Sequence, residues 1–134
     1  MLTLRPLDER VPIQQQLEAT ATPVVLINVF TVNPADVDAL LAAWEHDANW
    51  MKQQPGYIST QLHRGIGGSC MFLNYALWES VERFAQAFTH PDFVSALARY
   101  PSSAIAQPHL FSRLAVSAQG RDGESAPRLA PPLP

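Results

Sequence analysis

Two asparagines stand alone in apolar segments of this sequence, and their side chains are well suited to bind a polar ligand. Asn28 is the only polar residue between Val24 and Phe30, and Asn74 lies in a second segment rich in aromatic and apolar residues. An amide left unpaired in an apolar cavity costs about 1–3 kcal/mol. Two such amides therefore indicate a pocket in which a polar group of a ligand is bound and released.

Asn74 shares one face of its predicted strand with aromatic side chains. Alternate residues of a strand point to the same face, so Phe72, Asn74 and Trp78 form one row. The indole N–H of Trp78 adds a second kind of hydrogen-bond donor. A structural interpretation stays open, because a buried Asn can satisfy backbone groups and a strand Trp is more often core than catalyst.

Signatures of cofactor, metal and hydrolytic chemistry are missing from the sequence. The glycines at 65–68 lie in a predicted hairpin turn and not between a strand and a helix, so they predict no phosphate loop. The four histidines, His46, His63, His90 and His109, lack metal-ligand spacing. No G-x-S-x-G turn supports a serine nucleophile. We therefore expect no cofactor and no metal.

Strands and helices alternate along the part of the chain that carries these residues. The first strand, 24–32, is too apolar to be half exposed, so both of its faces should be covered. Asn33-Pro34-Ala35-Asp36 predicts a helix start, and Pro55-Gly56 predicts its end. The remaining predictions are strands at 57–64, 69–78 and 109–116, a helix after Ser80 and a short helix after His90-Pro91 with Phe93, Val94 and Leu97 facing inward.

This element order predicts an α+β fold. The order β-α-β-β-α-β is that of the ferredoxin-like split βαβ motif, which forms half of an α/β barrel. Its helices cover only one face of the sheet. Because the first strand is apolar on both faces, a second copy of the same sheet is the simplest cover for the other face, and we expect a homodimer.

Size and composition predict one soluble domain with two peripheral ends. The 134 residues have room for a single core, and 47% hydrophobic with 16% charged residues is typical of a folded chain. Nine Lys plus Arg against twelve Asp plus Glu, without a basic run, argue against a nucleic-acid or membrane partner. We divide the chain into an N-terminal arm at 1–22, a domain at 23–117 and a Pro-rich tail at 118–134.

The cysteine content and the N-terminal sequence favour the cytoplasm. Cys70 has no second cysteine with which to form a disulfide, and its place in a predicted strand indicates a small buried hydrophobe. The first 16 residues show no secretory leader pattern, and no apolar stretch approaches the roughly 20 residues of a membrane span.

Two short motifs carry a resemblance to a known family. The segment Asn74-Tyr75-Ala76-Leu77-Trp78-Glu79-Ser80 ends one strand, and Pro55-Gly56-Tyr57 opens the strand before it. With these motifs the chain resembles the antibiotic biosynthesis monooxygenase family over about residues 24–100, and it is most similar to the small anthrone oxygenases of aromatic polyketide pathways. The resemblance implies a dimeric α/β barrel that oxidises a small aromatic substrate to a quinone with O₂ and without a cofactor.

The resemblance also implies roles for individual residues. Asn28, Asn74 and Trp78 would stabilise the developing oxyanion as catalytic residues, and Trp50, Phe72 and Phe84 would hold the flat substrate. Helical spacing places Trp50 outside the apolar stripe of its helix, facing solvent or the partner subunit. Phe84 stands where the anthrone oxygenases can carry a tyrosine, so the sequence lacks one hydroxyl of the implied proton path.

Two other functions of the same family stay open. A haem-binding or haem-degrading member is one, although the family's axial histidine falls at about Leu97 and His90 is out of register. The other is a non-catalytic small-molecule-binding dimer, which the phenylalanine at position 84 favours.

Overall fold

The computed structural model describes residues 1–116, which form one mixed sheet covered by helices on one face. The strands are β1 (Thr3–Leu4), β2 (Val24–Thr31), β3 (Tyr57–Arg64), β4 (Met71–Trp78) and β5 (Ile105–Phe111). The α-helices are α1 (Ile13–Gln16), α2 (Val37–Met51), α3 (Val81–Phe88) and α4 (Pro91–Ala96), with 3₁₀ turns at Pro34–Asp36 and Leu97–Arg99. The predicted tail at 118–134 lies outside the described residues.

The sheet order is β1-β5-β2-β4-β3, with β2 in the middle. Strand β2 runs antiparallel to both β4 and β5, and β3 pairs antiparallel with β4. The four long strands therefore have the ferredoxin-like arrangement, and the predicted α+β class is confirmed. None of the helices within residues 1–116 is long and apolar enough to cross a membrane.

The two faces of the sheet differ in burial. Alternate residues of β2 and β4 pack against α2 and α3 in two apolar clusters, which include Phe30 and Phe72 in one and Leu26 and Trp78 in the other. The residues between them, on the opposite face, are only half buried in the single chain: Val25, Ile27, Val29, Leu73, Tyr75 and Leu77. One apolar face of the sheet is thus uncovered within the described residues.

The helix boundaries follow from local sequence signals. The Ser80 side chain accepts a hydrogen bond from the Arg83 backbone N–H at 3.1 Å, which confirms the predicted cap of α3. Gly56 has a φ of 89°, and a Cβ there would collide with the Arg83 side chain. A glycine is therefore needed where the chain turns from α2 into β3.

The last strand lies nearer the N-terminus than the sequence predicts. The sequence predicts this strand at 109–116, whereas β5 spans Ile105–Phe111 with Pro108 opposite Asn28. Proline lacks an N–H and argues against a paired strand. Leu110 is two residues further along the strand, so its N–H points to the same side as an N–H at position 108 would. That N–H donates to the Gln16 side chain at the sheet edge and not to β2, so the proline at position 108 removes no hydrogen bond to β2. The prediction that Val94 faces inward is also wrong, since it is 46% exposed.

Residues 1–22, expected as a peripheral arm, pack onto the domain along most of their length. Strand β1 pairs in parallel with the start of β5, and Leu2 and Ile13 are buried. The Gln16 side chain donates to the Val11 carbonyl at 2.7 Å and accepts from the Leu110 N–H at 2.7 Å. The arm therefore completes one edge of the sheet and one side of the core.

Candidate active site

A cavity lies between the helical face of the sheet, helix α2 and the N-terminal arm. It encloses about 60 Å³ within a recess of about 660 Å³ that is partly open to solvent. Its lining combines apolar and aromatic side chains with a few polar groups that converge on it. The polar or hydroxyl-bearing lining residues are Asn28, Asp47, Tyr57, Thr60, Asn74 and Tyr100.

Asn28 and Asn74 form the polar floor of this cavity. They are direct partners in the register of β2 and β4, and both side chains line the cavity. Directly opposed residues on paired strands have Cβ atoms about 4.5–5.5 Å apart. Oδ1 of Asn28 is buried and is the only buried side-chain polar atom in residues 1–116 without a hydrogen-bond partner. The floor therefore contains a polar atom whose binding capacity the protein leaves unused.

A threonine on the neighbouring strand fixes the orientation of the second amide. The Thr60 hydroxyl donates to Asn74 Oδ1 at 2.6 Å. Because this bond occupies the amide oxygen, the Asn74 NH₂ group remains to donate to a ligand. Sequence reasoning missed Thr60, since a threonine in a strand is unremarkable.

Aromatic rings form one end of the cavity. Trp78 is 2% exposed and meets Tyr57 and Phe84 edge to face, at centroid distances of 5.7 and 5.6 Å. Phe84 is fully buried and stacks on Phe88 at 5.1 Å. These contacts lock the ring of Trp78 in one orientation beside the two amides.

The wall opposite the floor carries a buried carboxyl that sequence reasoning also missed. Asp47 of α2 is 7% exposed, and its Oδ2 accepts a hydrogen bond from the Tyr100 hydroxyl at 2.7 Å. Burial raises the pKa of Asp47, although the Tyr100 hydrogen bond and the nearby His46 and Arg99 oppose the shift. Burial and the charge of Asp47 raise the pKa of Tyr100, so its hydroxyl remains a donor.

Two residues of the predicted substrate site do not line the cavity. Phe72 is buried in the apolar cluster that contains Phe30, and the Arg64 guanidinium lies 5.2 Å from its ring centroid. Trp50 packs on His90 and Phe93, at centroid distances of 5.1 and 6.2 Å, and against the apolar cluster that contains Trp78. Asn28, Asn74, Trp78 and Phe84 are the predicted site residues that the fold brings together around this cavity.

The cavity lining contains no histidine among the described residues. Leu97 occupies the position at which the resemblance places an axial haem ligand, and it lines the cavity. His90 instead caps α4, with its Nδ1 accepting from the Asp92 N–H at 3.0 Å. Within residues 1–116 no three His, Cys, Asp or Glu side chains group closely enough to hold a metal ion.

A surface groove between α2 and β3 lies beside the cavity. Trp44, Ala48 and Thr60 line both the groove and the cavity, while Glu45, Asn49 and Lys52 line the groove alone. The groove therefore adjoins the cavity, and the half-buried Trp44 lies where the two meet.

Solved structures with the same fold include oxygenases. SnoaB, a cofactor-independent oxygenase from Streptomyces nogalater, is 23% identical, with 74% of this chain and 100% of that chain covered and a TM-score of 0.62. A candidate monooxygenase from Shewanella loihica PV-4 is 34% identical, with coverage of 71% and 97% and a TM-score of 0.61. A candidate antibiotic biosynthesis monooxygenase from Bordetella bronchiseptica is 16% identical, with coverage of 71% and 100% and a TM-score of 0.60.

The sequence itself matches a family model over most of the folded region. No curated protein sequence matches the chain. The model of the antibiotic biosynthesis monooxygenases matches residues 23–99, which carry β2 to α4, both floor asparagines and Asp47. Together with the Shewanella relative at 34% identity, this match shows that the chain belongs to the antibiotic biosynthesis monooxygenase family.

Proposed function

We propose that this protein is a cofactor-independent monooxygenase that oxidises an anthrone, or a related hydroxylated polycyclic aromatic compound, to a quinone with O₂. The observation that carries the proposal is the floor of the cavity. There, two adjacent asparagines face an apolar, aromatic space, and the buried Oδ1 of Asn28 has no partner within the described residues. Membership of a monooxygenase family supports an oxygenase activity.

The lining matches the chemical character of such a substrate. Flat aromatic compounds pack well against Trp78 and Phe84, and the phenol or carbonyl oxygens of an anthrone need hydrogen-bond partners in an otherwise apolar site. The Asn74 NH₂ group, held by Thr60, and the Trp78 indole N–H are donors for an oxyanion. Asn28 Oδ1 is an acceptor for a substrate hydroxyl.

The proposed reaction draws its electrons from the substrate. The anthrone loses a proton from its central CH₂, and donors on the floor stabilise the resulting enolate oxygen. The enolate transfers one electron to O₂, and the radical pair recombines to form a C–O bond. The peroxide anion formed in this way is protonated to a hydroperoxide. The hydroperoxide then loses its remaining C–H proton and hydroxide, which leaves a quinone carbonyl and one molecule of water. The protein's contribution is to orient the rings, exclude water and lower the pKa of the substrate.

Oxygen consumption tests this function directly. Metal-free and haem-free protein is mixed with dithranol, a dihydroxyanthrone, while O₂ uptake and quinone absorbance are followed together. We expect enzyme-dependent uptake with one quinone formed for each O₂ consumed. Uptake at the uncatalysed rate, together with a Soret band on titration with haemin, would contradict the proposal and favour a haem protein.

A homodimer is part of the same proposal. The half-buried apolar side chains on the outer face of β2 and β4 lie side by side, with Val25 opposite Leu77, Ile27 opposite Tyr75 and Val29 opposite Leu73. Contiguous apolar surface of this kind is typical of a protein interface. A second sheet packed on this face would complete the dimeric α/β barrel of the family.

A charged residue placed in this face tests the dimer. Ile27→Arg puts a positive charge at the centre of the face, and Ile66→Arg places the same charge in the hairpin turn, where Ile66 is 95% exposed. In sedimentation experiments at micromolar concentration, we expect twice the 14.8 kDa chain mass for the wild type and for Ile66→Arg, and a monomer for Ile27→Arg. A monomeric wild type would overturn the dimer.

A further inference from the structure

Asp47 occupies a position at which a helix normally buries an apolar side chain. It follows Leu40 by seven residues, or two helical turns, and so belongs to the buried face of α2 with Leu40 and Ala43. Burial of a carboxyl costs free energy, and an apolar residue at the same place would be neutral or stabilising. Its presence on the cavity side of α2 calls for a role other than packing.

The protein holds this carboxyl in one orientation. The Tyr100 hydroxyl donates to Oδ2, and Tyr100 is itself fixed, being 3% exposed and stacked on Phe30 with a centroid distance of 6.2 Å. This single bond leaves lone pairs on both carboxyl oxygens, and Asp47 lines the same cavity as Asn28 and Asn74. The carboxyl and the amide floor thus face a common space from opposite sides.

Asp47 also has a connection to solvent. Its Oδ1 lies 3.7 Å from Nδ1 of His46, whose side chain is 44% exposed. His46 is therefore a neighbour of Asp47 that reaches solvent. The other groups whose charge or proton acts on Asp47 are Tyr100 and Arg99.

We propose that Asp47 is the catalytic base of this site and that Tyr100 is its positioning residue. This inference rests on the proposed function. The carboxylate removes the proton from the CH₂ carbon of the anthrone, forming an O–H bond on Asp47 as the C–H bond breaks, while the electron pair moves to the enolate oxygen on the floor. The same proton then returns to the peroxide oxygen after O₂ adds. In the last step the carboxylate takes the second C–H proton as hydroxide leaves, and that proton with the hydroxide forms water.

The burial of Asp47 suits this role. Burial raises the pKa of Asp47, and a carboxylate whose pKa is raised is a stronger base than one in water. The base acts only when ionised, so activity falls as the pH drops through the pKa of Asp47. Because the Tyr100 hydrogen bond holds that pKa down, its removal should move the acid limb of the profile to higher pH.

Anaerobic hydrogen exchange separates this step from oxidation. Dithranol is incubated with the protein in D₂O without O₂, and deuterium entering the CH₂ position is followed by mass spectrometry against the uncatalysed rate. We expect the wild type to accelerate exchange and Asp47→Asn, which still accepts from Tyr100, to lower that acceleration by at least about 100-fold. Asp38→Asn is the matched control, the same substitution on an exposed residue of the same helix, and should exchange like the wild type.

The outcomes distinguish the two proposals. If Asp47→Asn accelerates exchange as much as the wild type does, or if the wild type does not accelerate it, the role of Asp47 is overturned. Exchange that depends on Asp47 without any O₂ uptake in air keeps Asp47 as a base and overturns the oxygenase. Tyr100→Phe provides a second readout: its exchange should approach the wild-type rate at high pH with the acid limb displaced upwards, and an unmoved limb would contradict the positioning role of Tyr100.

Discussion

The floor and the wall of the cavity are polar for different physical reasons. The floor carries neutral amides on two paired strands, and its unpaired atom, Asn28 Oδ1, lies in a rigid sheet. The wall carries an ionisable carboxyl on a helix, paired with a tyrosine from a separate segment of the chain. Amides can stabilise charge at any pH, whereas a carboxyl can exchange a proton. We therefore assign binding and charge stabilisation to the floor and proton transfer to the wall.

Among changes to the floor, removing a hydrogen-bond donor should have the largest effect on turnover. Asn74→Ala and Trp78→Phe should each lower kcat/KM for dithranol at least about tenfold, because a donor to the developing oxyanion is lost. The loss should be the same across the pH range, since neither group titrates there. Asn33→Ala, which alters an exposed loop asparagine, serves as the control. Unchanged turnover in both floor variants would remove them from the site.

Replacing the ionisable Asp47 of the wall by a neutral residue should change the stability of the fold in a pH-dependent way. The folded pKa of Asp47 lies above its ordinary value of 3.8. Such a group stabilises the fold only below its unfolded pKa, and the contribution is lost as pH rises through the folded pKa. Asp47→Asn should therefore melt at the wild-type temperature near pH 3.5 and roughly 4 °C higher at pH 8, on the order of 1 kcal/mol. Calorimetry at both pH values, with Asp38→Asn alongside, checks this; an equal shift at both would contradict it.

Freeing the Asn74 amide without removing it should have a smaller effect on turnover. Thr60→Val keeps the size of the side chain but deletes the hydroxyl that holds Asn74 Oδ1. The amide is then free to rotate, and we expect kcat/KM for dithranol to fall about threefold, within the range of one neutral hydrogen bond. Ser59→Ala, one residue earlier on β3, is the control. A tenfold or greater loss would mean that Thr60 itself contacts the substrate.

A residue outside both regions should have the smallest effect. Trp50 packs on His90 and on the lining residue Phe93, but it does not itself line the cavity. Trp50→Phe should therefore change kcat/KM for dithranol by less than about twofold. A larger loss, with an unchanged melting temperature, would return Trp50 to the substrate site and extend the cavity beyond its present lining.

The floor could be predicted from the sequence because its residues contrast with their surroundings. An asparagine in an apolar strand stands out, and the alternation of a strand fixes which residues share its face. The wall could not be predicted in this way. Asp47 follows Glu45 and His46, so it has the appearance of one more exposed polar residue, although its spacing from Leu40 contained the signal. Tyr100 lies in a separate segment of the sequence, and its contact with Asp47 spans 53 residues.

The fold likewise has elements that local sequence signals predict and elements that depend on contacts between residues far apart in the chain. The order and type of the central elements follow from apolar periodicity, caps and the Pro55-Gly56 stop. The position of β5 and the docking of residues 1–22 depend on pairing between the two ends of the described chain, as in the bond between the Gln107 side chain and the Pro6 carbonyl, 101 residues apart. No local pattern encodes such a contact.

The arm contributes Leu2, just before strand β1, and Leu4, within β1, to the cavity lining, so its folding determines when the cavity closes. Contacts between residues far apart in the chain lose the most entropy on closure and are expected to form late in folding. Strand β1 is only two residues long and is held by few backbone bonds, so its opening should require less free energy than opening of the central sheet. We therefore expect the amide protons of residues 2–5 to exchange with solvent faster than those of β2, and the cavity to be the last part of the molecule to become enclosed.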